Sequence, residues 1–348
     1  MSKNIRRNLP ERGNMDIRVS VIVPIYNAEK YLRRCLDSLV GQTLPGVQIV
    51  AVDDGSTDSS AAILQEYVEK YPERFVTMRQ ENAGQAVARN RAIPLCTGEY
   101  TGFMDADDYA KPDMFEKLYT AATACYADYA SCGYTDFCTK DGVEKLDKEV
   151  IPPPCKDNKA LYIDTYVVPL MHLFRTDLLQ ESGVLFPEGL IYEDTAFYIN
   201  MIPHLGKVTY VNESLACRMR HANSTMTNIS PSRVRNIFGV MDSVENYYKN
   251  NRLLTDTYKD YKEYTCTRIL LGSSMDRISK VDDAAERKAL INETFDYLEK
   301  VYPNYLNNRI LKSDCSNKNK ILRLLRRSNC IVYVWILRIK NMIKGQYE

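Results

Sequence analysis

The sequence lacks several features that would assign it to whole classes of protein. No run approaches the ~18 consecutive apolar residues that a membrane-spanning helix needs. The ten cysteines contain no C-x-x-C pair, which argues against a zinc cluster or a disulfide framework and fits reduced thiols. Residues 1–14 are polar and basic, without the apolar core of a secretory signal, so we predict a cytoplasmic protein. The net charge of +1 gives no overall attraction to a polyanion, and we expect no nucleic-acid partner.

The first hundred residues contain a regular alternation of apolar strands and helical patterns. Helical spacing of apolar residues begins near Leu32, Asp58 and Gly84. The predicted strands around these helices are Val19–Pro24, Val47–Val52, Phe75–Met78 and Tyr100–Met104. Such alternation favours right-handed βαβ units and a mostly parallel sheet, which binds its ligands at the carboxyl ends of the strands.

The rest of the chain is less regular. It predicts strands at Tyr129–Phe137 and Val167–Phe174, a short helix at Asp194–Met201, and helices from Pro231 to about Leu311. We therefore expect an α/β domain over residues 16–228, preceded by a flexible tail at 1–15. A helical region at 229–312 and a basic tail at 313–348 would follow.

Three carboxylates crowd the end of the Tyr100 strand, where the sequence runs Met-Asp105-Ala-Asp107-Asp108. Carboxylates packed at a strand end repel one another and lose solvation. A bound divalent cation or a network of hydrogen-bond donors would relieve both costs. The carboxyl end of this strand is therefore a predicted ligand site.

Two earlier strands also end in polar motifs, and a third motif opens a helix. They are Val23-Pro24-Ile-Tyr26-Asn27, Val52-Asp53-Asp54-Gly55-Ser56 and Asn82-Ala-Gly84-Gln-Ala-Val-Ala-Arg89-Asn90. With the Asp105–Asp108 segment, this order resembles the family 2 glycosyltransferases with the GT-A fold. That family includes bacterial capsule, exopolysaccharide and lipopolysaccharide sugar transferases. The resemblance runs from about residue 18 to 225 and implies a Rossmann-like sheet flanked by helices, with a helical C-terminal extension.

The resemblance implies a nucleotide pocket at the first two strand ends. Pro24 and Tyr26 would line it, and Asp53 would accept the N3–H of a uracil-type base, as suits a carboxylate acceptor beside an imide donor. Asp54 would lie in the same pocket. A competing interpretation is that one of these two aspartates caps the loop over Gly55 and Ser56.

The third motif would contact the donor diphosphate. Gly84 would let the backbone approach the ligand closely. Arg89 would contact the diphosphate or brace the aspartates, since a guanidinium fork matches both anions. An internal salt bridge from Arg89 to Asp53 or Asp105 is the alternative.

The resemblance also implies a Mg²⁺ or Mn²⁺ site. Asp107 would bind the cation, and Asp105 would contact the ribose or a metal-bound water. Asp108 could equally cap the following helix. The segment from Arg220 to Ser224 is similar to the family's Arg-x-x-x-Ser, so Arg220 could reach the diphosphate and His221 could be a further metal ligand or an ordinary hydrogen-bonding residue.

The sequence Phe186-Pro-Glu-Gly-Leu-Ile-Tyr-Glu193-Asp194-Thr-Ala-Phe197 is similar to the family's Glu-Asp motif, which faces the acceptor. Asp194 is the predicted general base, and Glu193 is the alternative base. The base would take the proton of the acceptor hydroxyl as that oxygen attacks the anomeric carbon opposite the diphosphate, which inverts its configuration. The competing interpretation makes Asp194 an acidic N-cap of its helix.

We therefore predict an inverting, metal-dependent glycosyltransferase of the hexosyltransferase type (EC 2.4). Its donor would be a nucleotide sugar, most simply a UDP-sugar, and its acceptor a glycan or a polyprenyl-linked molecule in cell-surface polysaccharide synthesis. A nucleotidyltransferase would need a glycine-rich loop after the first strand, which Val23–Asn27 does not provide. A catalytically silent nucleotide-sugar binder or scaffold of a polysaccharide assembly complex is the other alternative.

The tail differs in composition from the rest of the chain. Between Cys315 and Tyr347 it has eight Lys or Arg residues and no acidic residue, around the apolar run Ile331–Leu337 with the only tryptophan. This pattern is typical of a helix at an anionic membrane surface, which would place the protein on the inner face of the cell membrane. The alternative is a terminal helix that packs on the domain and exposes a basic face.

Overall fold

The computed structural model describes residues 16–140, 143–164, 166–221, 229–313 and 316–347. The predicted flexible tail at 1–15 and the Ser224 of the Arg-x-x-x-Ser segment lie outside these residues. The division of the chain into four regions therefore stays a prediction.

One sheet forms the centre of the described chain. Its strands are β1 (Val19–Ile25), β2 (Val47–Asp53), β3 (Phe75–Arg79), β4 (Tyr100–Phe103), β5 (Tyr109–Ala110), β6 (Tyr129–Lys140), β7 (Val143–Val150), β8 (His172–Arg175) and β9 (Val208–Arg220). They lie in the order β3-β2-β1-β4-β8-β6-β9-β5, and β7 pairs with β6.

Helices flank this sheet and make up the C-terminal part. They are α1 (Leu32–Val40), α2 (Ser60–Lys70), α3 (Gln85–Ala92), α4 (Met114–Ala124), α5 (Asn158–Ile163), α6 (Thr176–Glu181), α7 (Glu193–Met201), α8 (Pro231–Asn250), α9 (Asp256–Arg268), α10 (Ser274–Ser279), α11 (Ala284–Val301), α12 (Arg309–Ser313), α13 (Asn317–Leu324) and α14 (Arg327–Tyr347).

The parallel pairing predicted for the first four strands is confirmed. β1 pairs in parallel with β2 and β4, and β2 pairs with β3. β1 and β2 are buried along their whole length, which explains their continuous apolar sequences. The register sets Ile25 beside Asp53, and Asp53 beside Arg79, so the polar loops after these strands share one edge of the sheet.

The second half of the sheet is largely antiparallel. β8 runs antiparallel to both β4 and β6, while β6 and β9 are parallel. The predicted strand Val167–Phe174 was wrong over its first part. Pro169–Met171 forms a turn of 3₁₀ helix, and β8 begins only at His172, because Pro169 has no N–H to donate to a strand ladder.

The two faces of the sheet bury different clusters. Val21 and Val23 of β1 pack with Leu36 of α1, whereas Ile22 faces the other side. That other side is continuous with α7 and with the buried faces of α8, α10 and α11. The helical C-terminal part therefore packs on the core beside α7. Within the described residues, no helix has the length and hydropathy to span a bilayer.

Candidate active site

Asp53 lies at the end of β2 with one carboxylate oxygen that has no hydrogen-bond partner. Its Oδ1 accepts the Ser56 N–H at 2.9 Å, and its Oδ2 is buried with Arg79 Nε at 3.4 Å as the nearest cation. An unsatisfied buried acceptor costs free energy, so a donor from a ligand would stabilise it. The Ser56 bond also shows that Asp53 takes the loop-capping role that competed with base recognition.

Asp54 holds the loop before α3. Its Oδ1 accepts from Gln80 Nε2 at 2.7 Å and from Ala83 N at 2.8 Å, and its Oδ2 accepts from Gly84 N at 2.8 Å. The carboxylate is therefore used to position backbone. It does not cap Gly55 and Ser56, as one interpretation of the sequence suggested.

Gly84 has a backbone conformation that other residues rarely adopt, with φ +91° and ψ 159°. A Cβ added here would meet nothing within 4 Å. The glycine is thus required by its dihedral angles, and the open space beside it can receive a ligand at the start of α3.

The turn after β1 is joined to the turn after β2. Asn27 Oδ1 accepts the Thr57 N–H at 2.9 Å, and Asn27 N donates to Ser56 Oγ at 3.2 Å. Pro24 is buried within β1, whereas the Tyr26 side chain is 51% exposed at the strand end. Tyr26 is therefore available to a nucleotide, and Pro24 shapes the strand beneath it.

Arg89 connects the acidic strand end to the predicted acceptor motif. The fully buried guanidinium lies 2.6 Å from Asp105 Oδ1 and 2.6 Å from Glu193 Oε1. Burial lowers the pKa of Arg89, but the two carboxylates outweigh burial and the pKa is raised. This is the internal salt bridge with Asp105 that was the alternative for Arg89, with Glu193 as an additional partner. Gln85 Nε2 also donates to Glu193, at 2.6 Å.

Asp107 and His221 form the second polar pair of the site. Asp107 Oδ2 lies 2.8 Å from His221 Nε2, and both side chains are partly exposed. The imidazole stacks on Tyr31, with ring centroids 4.9 Å apart and an interplanar angle of 17°. Arg34 donates to the backbone oxygen of Asp107 at 3.3 Å, so α1 braces this turn.

Two predicted residues are engaged elsewhere. Asp108 does not cap the following helix, because α4 begins at Met114; its Oδ1 accepts the Met219 N–H at 2.8 Å and ties the turn to β9. Burial, together with Asp107 and Asp105, raises the pKa of Asp108 well above its ordinary value. Arg220 Nη1 lies 2.6 Å from Asp147 Oδ2 of β7, an ion pair that would have to open before Arg220 could contact a diphosphate.

Asp194 holds its proton more tightly than an exposed aspartate does. Burial raises the pKa of its carboxyl to about 7, and the neighbouring Glu193 adds to the rise. The side chain borders a small apolar cavity lined by Phe186, Phe197 and Tyr198, which accounts for the loss of solvation. Its Oδ1 accepts the Thr195 N–H at 2.7 Å, so Asp194 lies in the first turn of α7 rather than at its N-cap.

Sequence reasoning missed two residues beside Asp194. Tyr192, the residue before Glu193, has the left-handed φ of 71°, which fixes how α7 begins. The guanidinium of Arg277, from α10, lies 4.0 Å from the centre of the Tyr192 ring. Nothing in the local sequence marks Arg277, because it lies 83 positions after Asp194 and shares no motif with it.

Comparisons with known proteins show which family the chain belongs to. The sequence profile described as Glycosyl transferase family 2 matches residues 20–183. The glycosyltransferase YibD of Escherichia coli is 30% identical over 263 residues, which cover 72% of this chain and 74% of that protein. The chain belongs to the family 2 glycosyltransferases. It is therefore a glycosyltransferase, and the predicted family and enzyme class are confirmed.

This glycosyltransferase is also similar to two further proteins. The poly(ribitol-phosphate) beta-glucosyltransferase of Bacillus spizizenii is 35% identical over 190 residues, or 53% of this chain and 29% of that protein. The crystal structure of S. aureus TarS residues 1–349 in complex with UDP-GlcNAc has a TM-score of 0.70 at 20% identity, covering 94% of this chain and 92% of that one. The structural likeness confirms the predicted GT-A fold with a helical C-terminal part.

Proposed function

We propose that this glycosyltransferase moves a sugar from a UDP-linked donor to a hydroxyl group of a glycan or polyprenyl-linked acceptor, with inversion, in cell-surface polysaccharide synthesis. The observation that carries the proposal is the Arg89 bridge. One guanidinium contacts Asp105 of the donor side and Glu193 of the acceptor side, each at 2.6 Å. Donor and acceptor motifs therefore meet at one place in the fold.

The donor base is assigned from Asp53. Asp53 Oδ2 accepts no hydrogen bond and has only the ion pair with Arg79, so it is suited to the N3–H of uracil; guanine or adenine would present a different pattern of donors. The UDP-GlcNAc bound to TarS supports a uracil nucleotide in this fold. Gly84 and Tyr26 would border the same nucleotide.

The cation site is assigned to Asp107 and His221. Adjacent donor atoms on an octahedral Mg²⁺ or Mn²⁺ ion are about 3 Å apart. Asp107 Oδ2 and His221 Nε2, at 2.8 Å, fit that spacing, provided that His221 turns its Nε2 lone pair to the metal. The described residues contain no group of three or more metal-binding side chains, so the other positions would be filled by water and phosphate oxygens. Asp105 would contact the ribose or a metal-bound water. A bound cation would neutralise the charge of the departing diphosphate.

Asp194 would accept the proton of the attacking hydroxyl. General-base assistance is worth about 10²–10⁴ in rate and is most effective when the pKa is near the working pH. Glu193 is committed to Arg89 and Gln85, so it would hold the bridge in place rather than act as base. The nine cysteines of the described residues are all unbridged, which supports a cytoplasmic site for this chemistry.

The test is a donor screen that separates binding from turnover. Thermal unfolding with UDP-, GDP- and ADP-sugars, with and without Mn²⁺, reports binding to the folded state. UDP release is then measured for the wild type, Asp107→Asn and Asp194→Asn. We expect the largest shift with UDP-sugar and Mn²⁺, no metal-dependent shift for Asp107→Asn, and binding without turnover for Asp194→Asn. Equal shifts with UDP- and GDP-sugars would overturn the assignment of Asp53. UDP-sugar binding by the wild type without transfer to any glycan, lipid-linked or water acceptor would favour the silent binder.

A further inference from the structure

Helix α14 presents one face to the protein and the opposite face to solvent. On the packed face, Cys330 and Val334 are buried, Cys330 Sγ lies 3.5 Å from Met275 Sδ, and Asn341 contacts Asp276 at 3.2 Å. The structure therefore agrees with the interpretation that the tail packs on the helical part of the protein. These contacts involve one side of α14, and the other side faces solvent.

The outer face of α14 is apolar. Six large side chains on it are 44–62% exposed: Ile331, Val332, Trp335, Ile336, Met342 and Ile343. Their spacing of four and seven residues places them along one continuous stripe of the helix. The preceding helix α13 adds Leu324, which is 70% exposed, and Ile321, at 43%. A contiguous apolar stripe of this kind on a protein surface marks an interaction site.

The charged side chains of residues 316–347 are all basic. Arg327 pairs with Asp296 and Glu299 of α11, and Arg338 pairs with Asp282, which precedes α11. Four further cations of this segment are exposed or partly exposed: Lys320, Arg323, Arg326 and Lys340. Residues 316–347 contain no Asp or Glu. The surface is thus apolar along its centre and basic at its margins.

We propose that this face of α13 and α14 docks on an anionic lipid bilayer, with the apolar stripe in the interface and the lysines and arginines at the headgroups. A bilayer surface offers both partners that the face needs, an apolar layer beneath a layer of negative charge. A second copy of this chain offers no such complement, because its corresponding face is equally basic.

The docking face is connected to the acceptor side of the site. α14 packs on α10, and α10 carries Arg277, which covers Tyr192 beside Asp194. The docking itself does not depend on the proposed transfer reaction, and the two fail independently in the experiment below.

Trp335 makes the test direct, because it is the only tryptophan of the chain and lies on the stripe. Vesicles of phosphatidylcholine, with or without phosphatidylglycerol, are titrated into the full chain while tryptophan emission and flotation are recorded. We expect binding and a blue shift with phosphatidylglycerol, and weakening as salt is raised. Ile336→Glu should lower the partition coefficient at least tenfold, and reversing Lys340 to Glu should lower it several-fold.

The matched control is Leu146→Glu on β7, where a leucine that is 64% exposed, against 53% for Ile336, lies away from α14. It should bind vesicles like the wild type. Far-UV circular dichroism and the melting temperature, both recorded without nucleotide, check that every variant is folded. Absence of binding to phosphatidylglycerol vesicles would overturn the proposal. Emission that is already blue-shifted without lipid, in a chain that is dimeric by light scattering, would overturn it in favour of self-association.

Discussion

Replacing Asp194 with asparagine should abolish sugar transfer and yet make the protein more stable near neutral pH. The ordinary pKa of an aspartate is 3.8, and burial raises that of Asp194 to about 7. Each tenfold change in proton affinity is worth about 1.4 kcal/mol, so complete burial would cost the ionised form about 4 kcal/mol. The side chain retains some exposure to solvent, and a discounted value of about 1–3 kcal/mol is expected.

The sign of the pH dependence follows from linkage. The folded protein holds a proton on Asp194 more tightly than the unfolded chain does. This contribution to folding is fully present below about pH 4 and is lost as the pH rises through about 7. Asparagine does not titrate, so the stabilisation by Asp194→Asn should be absent below about pH 4, grow between about pH 4 and 7, and be complete above about pH 7. In the wild type, the rate should fall as the pH drops below about 7, because a protonated Asp194 cannot act as a base.

The assay is urea unfolding of both proteins across this pH range, combined with UDP release. Asp177→Asn is the control, since Asp177 Oδ1 also accepts the N–H of the next residue but its pKa is lowered by Arg175 despite some burial. That substitution should be neutral or destabilising. If Asp194→Asn leaves the free energy of unfolding unchanged or lowers it at about pH 8, the ionised carboxylate of Asp194 does not destabilise the folded protein. If transfer falls by less than about tenfold, Asp194 is not the base.

Three further predictions concern other residues of the candidate site. Arg89→Met should lower the free energy of unfolding by about 3–5 kcal/mol in urea titrations, because Asp105 and Glu193 would lose their shared counterion. A loss below about 1 kcal/mol would contradict the proposed role of the Arg89 ion pairs. Gly84→Ala should lower the free energy of unfolding by about 1–3 kcal/mol and weaken UDP binding. The control is Gly183→Ala, also at a positive φ in open space, which should destabilise the protein without changing its affinity for UDP. Equal UDP affinity in both variants would refute the role of Gly84. His221→Ala should raise the Mn²⁺ concentration for half-maximal UDP release about tenfold or more, and an unchanged concentration would exclude His221 as a ligand.

The sequence was most informative where local pattern determines structure. The buried runs of β1 and β2 and the helical spacing in α1 predicted the parallel half of the sheet. Strand-end motifs predicted that Asp53, Asp105 and Asp107 lie at the carboxyl ends of parallel strands, and these are β2 and β4, on either side of β1. These elements are specified by residues close in sequence. The parallel order then brings their ends together without further information.

Long-range partners could not be predicted. Arg89 meets Glu193 across 104 positions, and Arg220 is held by Asp147 across 73, and no periodicity encodes either pair. Arg277 reaches Tyr192 only because α10 packs beside α7. Pro169 shortened a predicted strand because one missing N–H outweighed the apolar pattern around it. Such contacts depend on tertiary packing, which a single sequence does not reveal.

The most direct test of the account is a crystal structure with UDP and Mn²⁺, recorded with anomalous scattering from manganese. We predict one anomalous peak that touches both Asp107 Oδ2 and His221 Nε2, with the diphosphate on its open side and the uracil N3 facing Asp53 Oδ2. The Arg89 bridge from Asp105 to Glu193 should remain closed. A manganese ion bound away from Asp107, or a uracil ring that does not contact Asp53, would contradict the proposed donor site.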